Sequence, residues 1–154
     1  MEFEHLGWVK RSLGQDLEAK FGPLKGVSMR QIQTFEAVHG LALCEAHKEL
    51  LLWLGESTQD VLFPNSNMRF SLAEMPANFA TLRVFQQRYP EEFGFVDIEI
   101  CFAGYKNEAV FFYSTDGGEE QNPTIDHFTE RLGWSHAGLF SDFIDDLLKQ
   151  ALQV

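Results

Sequence analysis

The chain has 154 residues, 45% of them hydrophobic, and a formal net charge of −11 at pH 7. This length suits one domain, and the hydrophobic content excludes a disordered acidic tail. The two cysteines, Cys44 and Cys101, are far apart in the sequence, which is typical of a reduced protein. The first residues are acidic where a secretory signal is basic, and no apolar run reaches the ~20 residues of a membrane span. We therefore expect a soluble, cytoplasmic protein.

The first half of the chain predicts three helices. Residues 12–21 carry apolar side chains at helical spacing and are followed by a Gly-Pro pair, which ends a helix. Ser28 and Gln31 have the spacing of a capping box, which predicts a second helix that runs to Gly40. A third apolar face predicts a helix over residues 45–54.

The middle of the chain combines turn residues with short β-prone runs. Residues 61–63 and 68–70 flank the turn sequence at 64–67, and this pattern predicts a hairpin. Residues 72–89 then predict a fourth helix, with Pro76 in its first turn.

The strongest strand signal lies in the second half of the chain. Residues 96–102 alternate between apolar and polar side chains, and a second β-rich run at 108–113 follows a turn at 104–107. We expect these two runs to form a hairpin. Residues 124–128 are a candidate third strand, and residues 140–151 predict an amphipathic C-terminal helix.

The order of helices, strands and a final helix predicts the α+β class. We expect a single domain with an antiparallel curved sheet, helices packed on one face of that sheet, and the C-terminal amphipathic helix. On this arrangement the polar face of the first strand, with Asp97, Glu99 and Cys101, is exposed to solvent.

The acidic residues are concentrated in one part of the chain. Between Glu91 and Glu130 ten acidic residues stand against the single base Lys106, so this segment carries nine of the eleven net negative charges. A field of this sign attracts cations and basic proteins and repels phosphate backbones. It argues against nucleic acid as a direct partner.

The order of several short segments carries a family resemblance. The segments are Ile32–Glu36, Gly40–Leu43, the helix that runs through Leu54 into Gly55, Ala109–Tyr113 before Asp116–Gly118, and Phe140–Ile144. Together they resemble the SUKH superfamily of SMI1/KNR4-like domains. Cys44 stands where that family usually has a proline. On this resemblance residues 28–154 form the SMI1/KNR4-like domain, and residues 1–27 form an N-terminal helical extension.

The resemblance implies an α+β fold that binds another protein and has no catalytic set. Domains of this family occur in bacterial immunity proteins and in a fungal cell-wall regulator. It therefore implies an immunity protein that neutralises a cognate toxin, or alternatively an intracellular regulatory or scaffold protein. A small hydrolase or ligand-binding enzyme is a third hypothesis, from a different class.

Candidate catalytic and metal-binding residues are few. Cys44 and His47 are three residues apart, a spacing that places a thiol beside an imidazole on a helix. The alternative that we favour is a buried small residue near an exposed histidine, because nothing supplies an orienting acid. These two residues, with His39 and Cys101, also lack the spacing of a zinc site.

Clustered carboxylates are candidate ligands for a calcium ion. Asp116, Glu119, Glu120 and Asp126 are oxygen ligands of the type that Ca²⁺ takes, but they do not follow the twelve-residue EF-hand pattern. A solvated turn is the interpretation that we favour. We expect no catalytic residue, metal or cofactor.

The candidate partner-binding residues come from the acidic segment. Our hypothesis is that one acidic surface docks a cationic protein, such as a basic toxin domain. The candidate aromatic anchors are Trp53, Tyr105, Tyr113 and Trp134, with core packing as the alternative that we favour for each. A solvent-exposed sheet face is the alternative explanation of the acidic pattern. The proposed acidic residues are Asp97, Glu99, Glu108, Asp116, Glu119 and Glu120. The sequence leaves the identity of the partner and the oligomeric state open.

Overall fold

The computed structural model describes residues 2–93, 99–114 and 121–153. In these ranges the protein has seven α-helices and one five-stranded sheet. The helices are α1 Gly7–Phe21, α2 Met29–His39, α3 Glu45–Leu54, α4 Thr58–Leu62, α5 Met75–Arg88, α6 Pro90–Phe93 and α7 Phe140–Gln153. The strands are β1 Met68–Arg69, β2 Glu99–Tyr105, β3 Ala109–Ser114, β4 Thr124–Thr129 and β5 Gly133–Leu139. The predicted α+β class and the C-terminal amphipathic helix are confirmed.

The three predicted N-terminal helices are present, with the capping chemistry that the sequence indicates. Ser28 Oγ accepts a hydrogen bond from the Gln31 amide at 3.1 Å, and the Gln31 side chain accepts one from the Ser28 amide at 2.8 Å. Helix α2 ends at Gly40, whose φ of 63° is the left-handed conformation that glycine adopts without strain. Helix α1 begins at Gly7, five residues before the predicted start.

The segment predicted as an N-terminal extension packs into the main core. Leu6, Val9 and Leu17 of this segment are completely buried in one cluster with residues of α3 and α7. The Glu49 carboxylate of α3 accepts a hydrogen bond from the Leu6 amide at 2.7 Å. The Lys20 ammonium donates to the Ala151 carbonyl of α7 at 3.1 Å. The described part of this segment, residues 2–27, therefore contributes to the same hydrophobic core as α3 and α7.

The predicted hairpin over residues 61–70 is wrong. Val61 and Leu62, from its first run, belong to helix α4. Two side chains at the start of this helix bond to distant segments: the Thr58 hydroxyl donates to the Lys25 carbonyl at 2.8 Å, and the buried Gln59 side-chain amide donates to the Ser71 hydroxyl at 3.2 Å. These contacts with distant segments override the local β propensity. Strand β1 does form, but it pairs with β2 through Met68 and Tyr105.

The sheet is an antiparallel meander in the order β1-β2-β3-β4-β5. The predicted hairpin of β2 and β3 is confirmed, with Cys101 opposite Phe112, and β4 lies beside β3 with Phe128 opposite Val110. Strand β5 is not predicted by the sequence. Its segment, Gly133–Leu139, lacks the β-branched residues that indicate a strand.

Helices cover both faces of this sheet, so the prediction of helices on one face is wrong. On one face Phe102 and Tyr113 pack with Phe140 of α7 and with α3. On the other face a separate cluster holds Cys101 and Phe112, and this cluster is covered by α5 and α6. The second apolar cluster consists of Leu82, Phe85, Phe93, Cys101, Val110, Phe112 and Phe128.

Strand β2 is consequently buried on both sides over most of its length. Glu99 and Cys101, predicted to be exposed, are 7% and 0% exposed. Helix α5 packs directly on this face. The Asn78 side-chain amide donates a hydrogen bond to the Arg69 carbonyl at 3.0 Å, and the Asn78 side chain lies over Gly104. Asp97, which the sequence predicts on the same face, lies outside the described residues. Among the residues that the structure describes, no helix is long and apolar enough to cross a membrane.

Gly26 gives a direct test of how the N-terminal helices are joined. A Cβ atom at this position would lie 1.6 Å from the Leu52 carbonyl oxygen, because the neighbouring Val27 amide bonds to Leu51 at 2.9 Å. We predict that Gly26→Ala destabilises the protein by about 3 kcal/mol or more, since backbone atoms must separate. Urea denaturation followed by circular dichroism measures this loss.

The matched control is Gly14→Ala on the surface of α1. A Cβ there meets only the flexible Lys10 side chain at 3.7 Å, and alanine favours the helix. We expect Gly14→Ala to raise the free energy of unfolding by about 0.5–1 kcal/mol. Equal effects of the two substitutions would contradict the packing described here.

Candidate functional site

An open groove lies at one end of the sheet, and we call it the strand-end groove. Its volume is about 640 Å³, and most of its lining is apolar. The meander brings its residues together because the β2–β3 and β4–β5 turns lie at the same end of the sheet. The residues that define it are Met68, Tyr105, Glu108, Phe111, His127 and Leu132.

The floor of the strand-end groove is formed by two stacked rings. The rings of Phe111 on β3 and His127 on β4 are 4.5 Å apart and inclined by only 7°. Partial burial lowers the pKa of His127, which favours the neutral imidazole. The Phe143 ring of α7 packs against the Phe111 ring, with 5.0 Å between their centroids. The floor is therefore flat, apolar and uncharged.

The rim of the groove carries charges of both signs. Glu108 lies exposed in the β2–β3 turn, and the Lys106 ammonium is 5.3 Å from the centroid of the Tyr105 ring. On the other side the Glu130 carboxylate accepts hydrogen bonds from the Tyr89 hydroxyl at 2.8 Å and from Arg88 at 3.0 Å. The Tyr89 bond is the main reason that the pKa of Glu130 is lowered.

Leu132 is the most exposed apolar side chain of the groove. It lies in the β4–β5 turn with 80% of its surface exposed to solvent. An apolar side chain held in this way at the edge of an apolar groove is typical of a surface that binds another molecule. No sequence pattern indicates Leu132 or His127 as site residues, because only the pairing of β4 with β3 and β5 places them beside Tyr105.

The structure brings together two of the predicted partner-binding residues. Tyr105 and Glu108 both line the strand-end groove. Glu99 lies at the opposite end of β2, on the face covered by α5, and its burial removes it from the proposed acidic surface. The remaining predicted residues, Asp97, Asp116, Glu119 and Glu120, lie outside the described ranges.

Glu99 instead belongs to a small polar cluster under α5. Burial raises the pKa of Glu99 to about 7, and the nearby Asp126 carboxylate acts in the same direction. The Gln86 amide, which donates to Glu99 at 3.3 Å, partly opposes this shift. Asp126 is itself paired with the exposed His136, at 2.5 Å between Oδ1 and Nδ1. Glu99 therefore carries a partial charge near pH 7.

Cys44 and His47 do meet, but in the core. His47 is completely buried, which corrects the expectation that it is exposed. Its Nδ1 atom lies 2.8 Å from the Tyr113 hydroxyl, and that same oxygen accepts a hydrogen bond from the Cys44 amide at 3.2 Å. Rings of Phe102 and Phe140 surround the imidazole.

Burial keeps both members of this pair uncharged. It raises the pKa of the Cys44 thiol to about 11 and lowers the pKa of His47 to about 3. A thiol nucleophile requires the opposite shifts, toward a thiolate beside an imidazolium. The hydrogen bonds through Tyr113 therefore join α3 to the sheet and do not activate the thiol.

No three His, Cys, Asp or Glu side chains in the described ranges are close enough together to hold a metal ion. No protein-family model and no curated protein matches the chain. The resemblance to SMI1/KNR4-like domains therefore stays a prediction.

Glu99 generates a pH-dependent prediction. Because its pKa is higher in the folded protein than in the unfolded chain, folding stability falls as the pH rises from about 4.5 through 7. Glu99→Gln removes this loss. We expect it to raise the free energy of unfolding by about 1–2 kcal/mol at pH 8, where partial hydration reduces the full effect, and to have little effect at pH 4.

Denaturant titrations of both proteins at the two pH values measure this difference. Glu108→Gln is the matched control, because that carboxylate is exposed in a turn. A gain from Glu99→Gln that is the same at pH 4 and pH 8 would rule out the protonation argument.

The Tyr113 hydroxyl provides a second prediction. Tyr113→Phe leaves the buried Cys44 amide and His47 without their shared partner. We expect a loss of about 1–3 kcal/mol, because buried polar groups lose hydrogen bonds that water cannot replace. Thermal and urea unfolding measure the loss. Tyr105→Phe, at the half-buried ring of the groove, is the control and should change stability by less than about 0.5 kcal/mol.

Proposed function

We propose that the protein is a non-enzymatic binding module for another protein, and that it acts as an immunity protein against a cognate basic toxin. The observation that carries the binding role is the strand-end groove, with its apolar floor and the exposed Leu132 at its edge. The immunity role is the narrower part of the proposal, and it rests on the resemblance to SMI1/KNR4-like domains.

The shape of the groove supports the binding of an anchoring side chain. Its volume of about 640 Å³ lies in the range of sites that bury small ligands. The stacked rings of Phe111 and His127 offer a flat apolar surface, and Tyr105 and Leu132 stand at its sides. A few buried aromatic or aliphatic contacts of this kind supply most of the energy in protein interfaces. The partner would place one large apolar side chain here.

Charge supports a basic partner. The segment from Glu91 to Glu130 carries nine net negative charges and includes Glu108 and Glu130 on the groove rim. Lys106 and Arg131 moderate the charge at the rim itself. The electrostatic attraction for a basic partner therefore comes from the whole segment. It raises the association rate more than it increases the affinity of the final complex.

The buried pair of Cys44 and His47 favours a binding role over a hydrolase. The thiol that the enzyme hypothesis would use is protonated, and its imidazole neighbour is neutral and inaccessible. A regulatory or scaffold protein would use the same groove. It differs from an immunity protein in the identity of the partner.

The groove and the acidic segment can be tested separately once a partner is captured at low salt. We expect the double substitution Tyr105→Ala with Leu132→Ala to weaken binding at least about tenfold, mainly through faster dissociation. We expect Lys at positions 116, 119 and 120, in place of the acids there, to slow association and reduce its salt dependence. Biolayer interferometry at several salt concentrations measures both rates.

Matched controls exclude general effects. Lys in place of the exposed Asp16, Glu18 and Glu56 changes the net charge equally at sites away from the groove. Val38→Ala removes a comparably exposed apolar side chain. Unchanged binding in both test variants would refute the proposed interface.

The identity of the captured protein tests the immunity role. We expect a basic toxin encoded beside this gene, and we expect co-expression to rescue cells from it. Rescue should fail with the double substitution at Tyr105 and Leu132. Capture of an unrelated cellular protein, with no toxin neutralised, would replace the immunity role by the regulatory one.

A further inference from the structure

Strand β5 forms an open edge of the sheet. It pairs with β4, and in the described part of the chain no other strand lies beside it. The opposite edge is different, because there the two-residue strand β1 covers the end of β2. The unpaired side of β5 presents backbone N–H and C=O groups that another strand can bind.

The composition of β5 lacks the usual protection of an edge strand. Gly133–Leu139 contains no Asp, Glu, Lys, Arg or Pro, although 23% of the whole chain is charged. Exposed leucines stand at both ends, Leu132 with 80% and Leu139 with 43% of its surface in solvent. Natural edge strands normally carry charge or proline that prevents pairing. An uncharged edge with apolar ends is typical of a pairing surface.

We propose that β5 pairs with β5 of a second copy of this chain, antiparallel and about a two-fold axis. Such a pair joins the two sheets into one continuous sheet. The pairing is isologous, because each copy contributes the same strand. This inference does not depend on the proposed immunity role, and it shares with the strand-end groove only Leu132.

The absence of charged side chains on β5 favours another uncharged strand over a basic segment as its partner. The strand itself offers a cation no attraction and brings no like charge against an identical strand, although the Glu92 carboxylate lies close to Gly133 at its start. Its one titratable side chain, His136, is already paired with Asp126. The rest of the molecule repels a second copy, since each chain carries a net charge of −11. Salt screens that repulsion, so dimerisation should strengthen as ionic strength rises.

The backbone limits the length of the ladder. Gly138 has a φ of 82°, and the pairing of β5 with β4 shifts register between His136 and Leu139. A bulge of this kind twists an edge strand and interrupts further pairing. The new ladder is therefore expected to run from Gly133 to Ala137. A short ladder of this kind gives a weak dimer, with Kd on the order of 10–100 µM.

Analytical ultracentrifugation of the full chain at about 5–500 µM tests the proposal, at low salt and at about 0.5 M salt. We expect a reversible monomer–dimer equilibrium that shifts toward dimer at high salt. The edge variant, Ser135→Lys with Leu139→Lys, should remain monomeric. The control, Val38→Lys with Val61→Lys, adds the same charge at exposed apolar residues elsewhere and should dimerise as the native chain does.

Hydrogen exchange locates the interface without substitution. Amides of Gly133–Ala137 should gain protection as the protein concentration rises, while those of β1 should not. If the edge variant fails to fold by circular dichroism, the single variant Ser135→Lys replaces it. A native chain that stays monomeric throughout, or a dimer that the edge variant leaves intact, would overturn the proposal.

The salt response separates this proposal from the proposed function. Binding of a basic partner should weaken as salt rises, whereas β5 pairing should strengthen. Protection of β5 amides by a partner protein, in a chain that is monomeric alone, would assign the edge to that partner and overturn the second copy as its occupant.

Discussion

Burial of strand β2 on both faces is the constraint on which the rest of the structure depends. Its residues Ile100 and Phe102 pack against α3 and α7, and Cys101 packs against the cluster under α5. A strand that is apolar on both sides must lie between two layers, because neither face can be left in water. The helices are therefore divided between the two faces, and the positions of the polar groups follow from that division.

The strand-end groove forms where the cover on one of these faces stops. Helix α7 reaches Phe111 through Phe143, and beyond that contact the Phe111 and His127 rings meet solvent. The same sheet face therefore serves as core under α7 and as a surface at the strand ends. A site of this type costs the fold little, because its floor is held rigidly by strands whose other ends are buried.

The two covered faces also decide what the titratable residues can do. Glu99 and the Cys44–His47 pair carry the chemically suggestive side chains of the sequence, yet both are buried by the helices that pack over them. Burial favours the uncharged form of each group, so their shifted pKa values reflect packing and not a reactive site. The residues left exposed, Glu108 and Leu132, are suited to binding.

The sequence by itself determined the local elements. The capping box at Ser28, the glycine at position 40 and the apolar stripe of α7 are local signals, and the structure confirms the elements that they predict. Alternation in residues 96–102 predicts a strand, because side chains in extended backbone point alternately to opposite faces, and the structure confirms a strand over the described residues 99–102. The candidate site was predictable only for Tyr105 and Glu108, which lie at a hairpin turn.

Only the tertiary structure decided which faces are covered. Residues 58–62 became a helix instead of half of a hairpin because Thr58 and Gln59 found distant partners in Lys25 and Ser71. The polar face of β2 is part of a core because α5 packs over it. Strand β5 forms through backbone pairing with β4. Periodicity reports the conformation of a segment, but burial depends on contacts between segments far apart in the chain, which no local pattern contains.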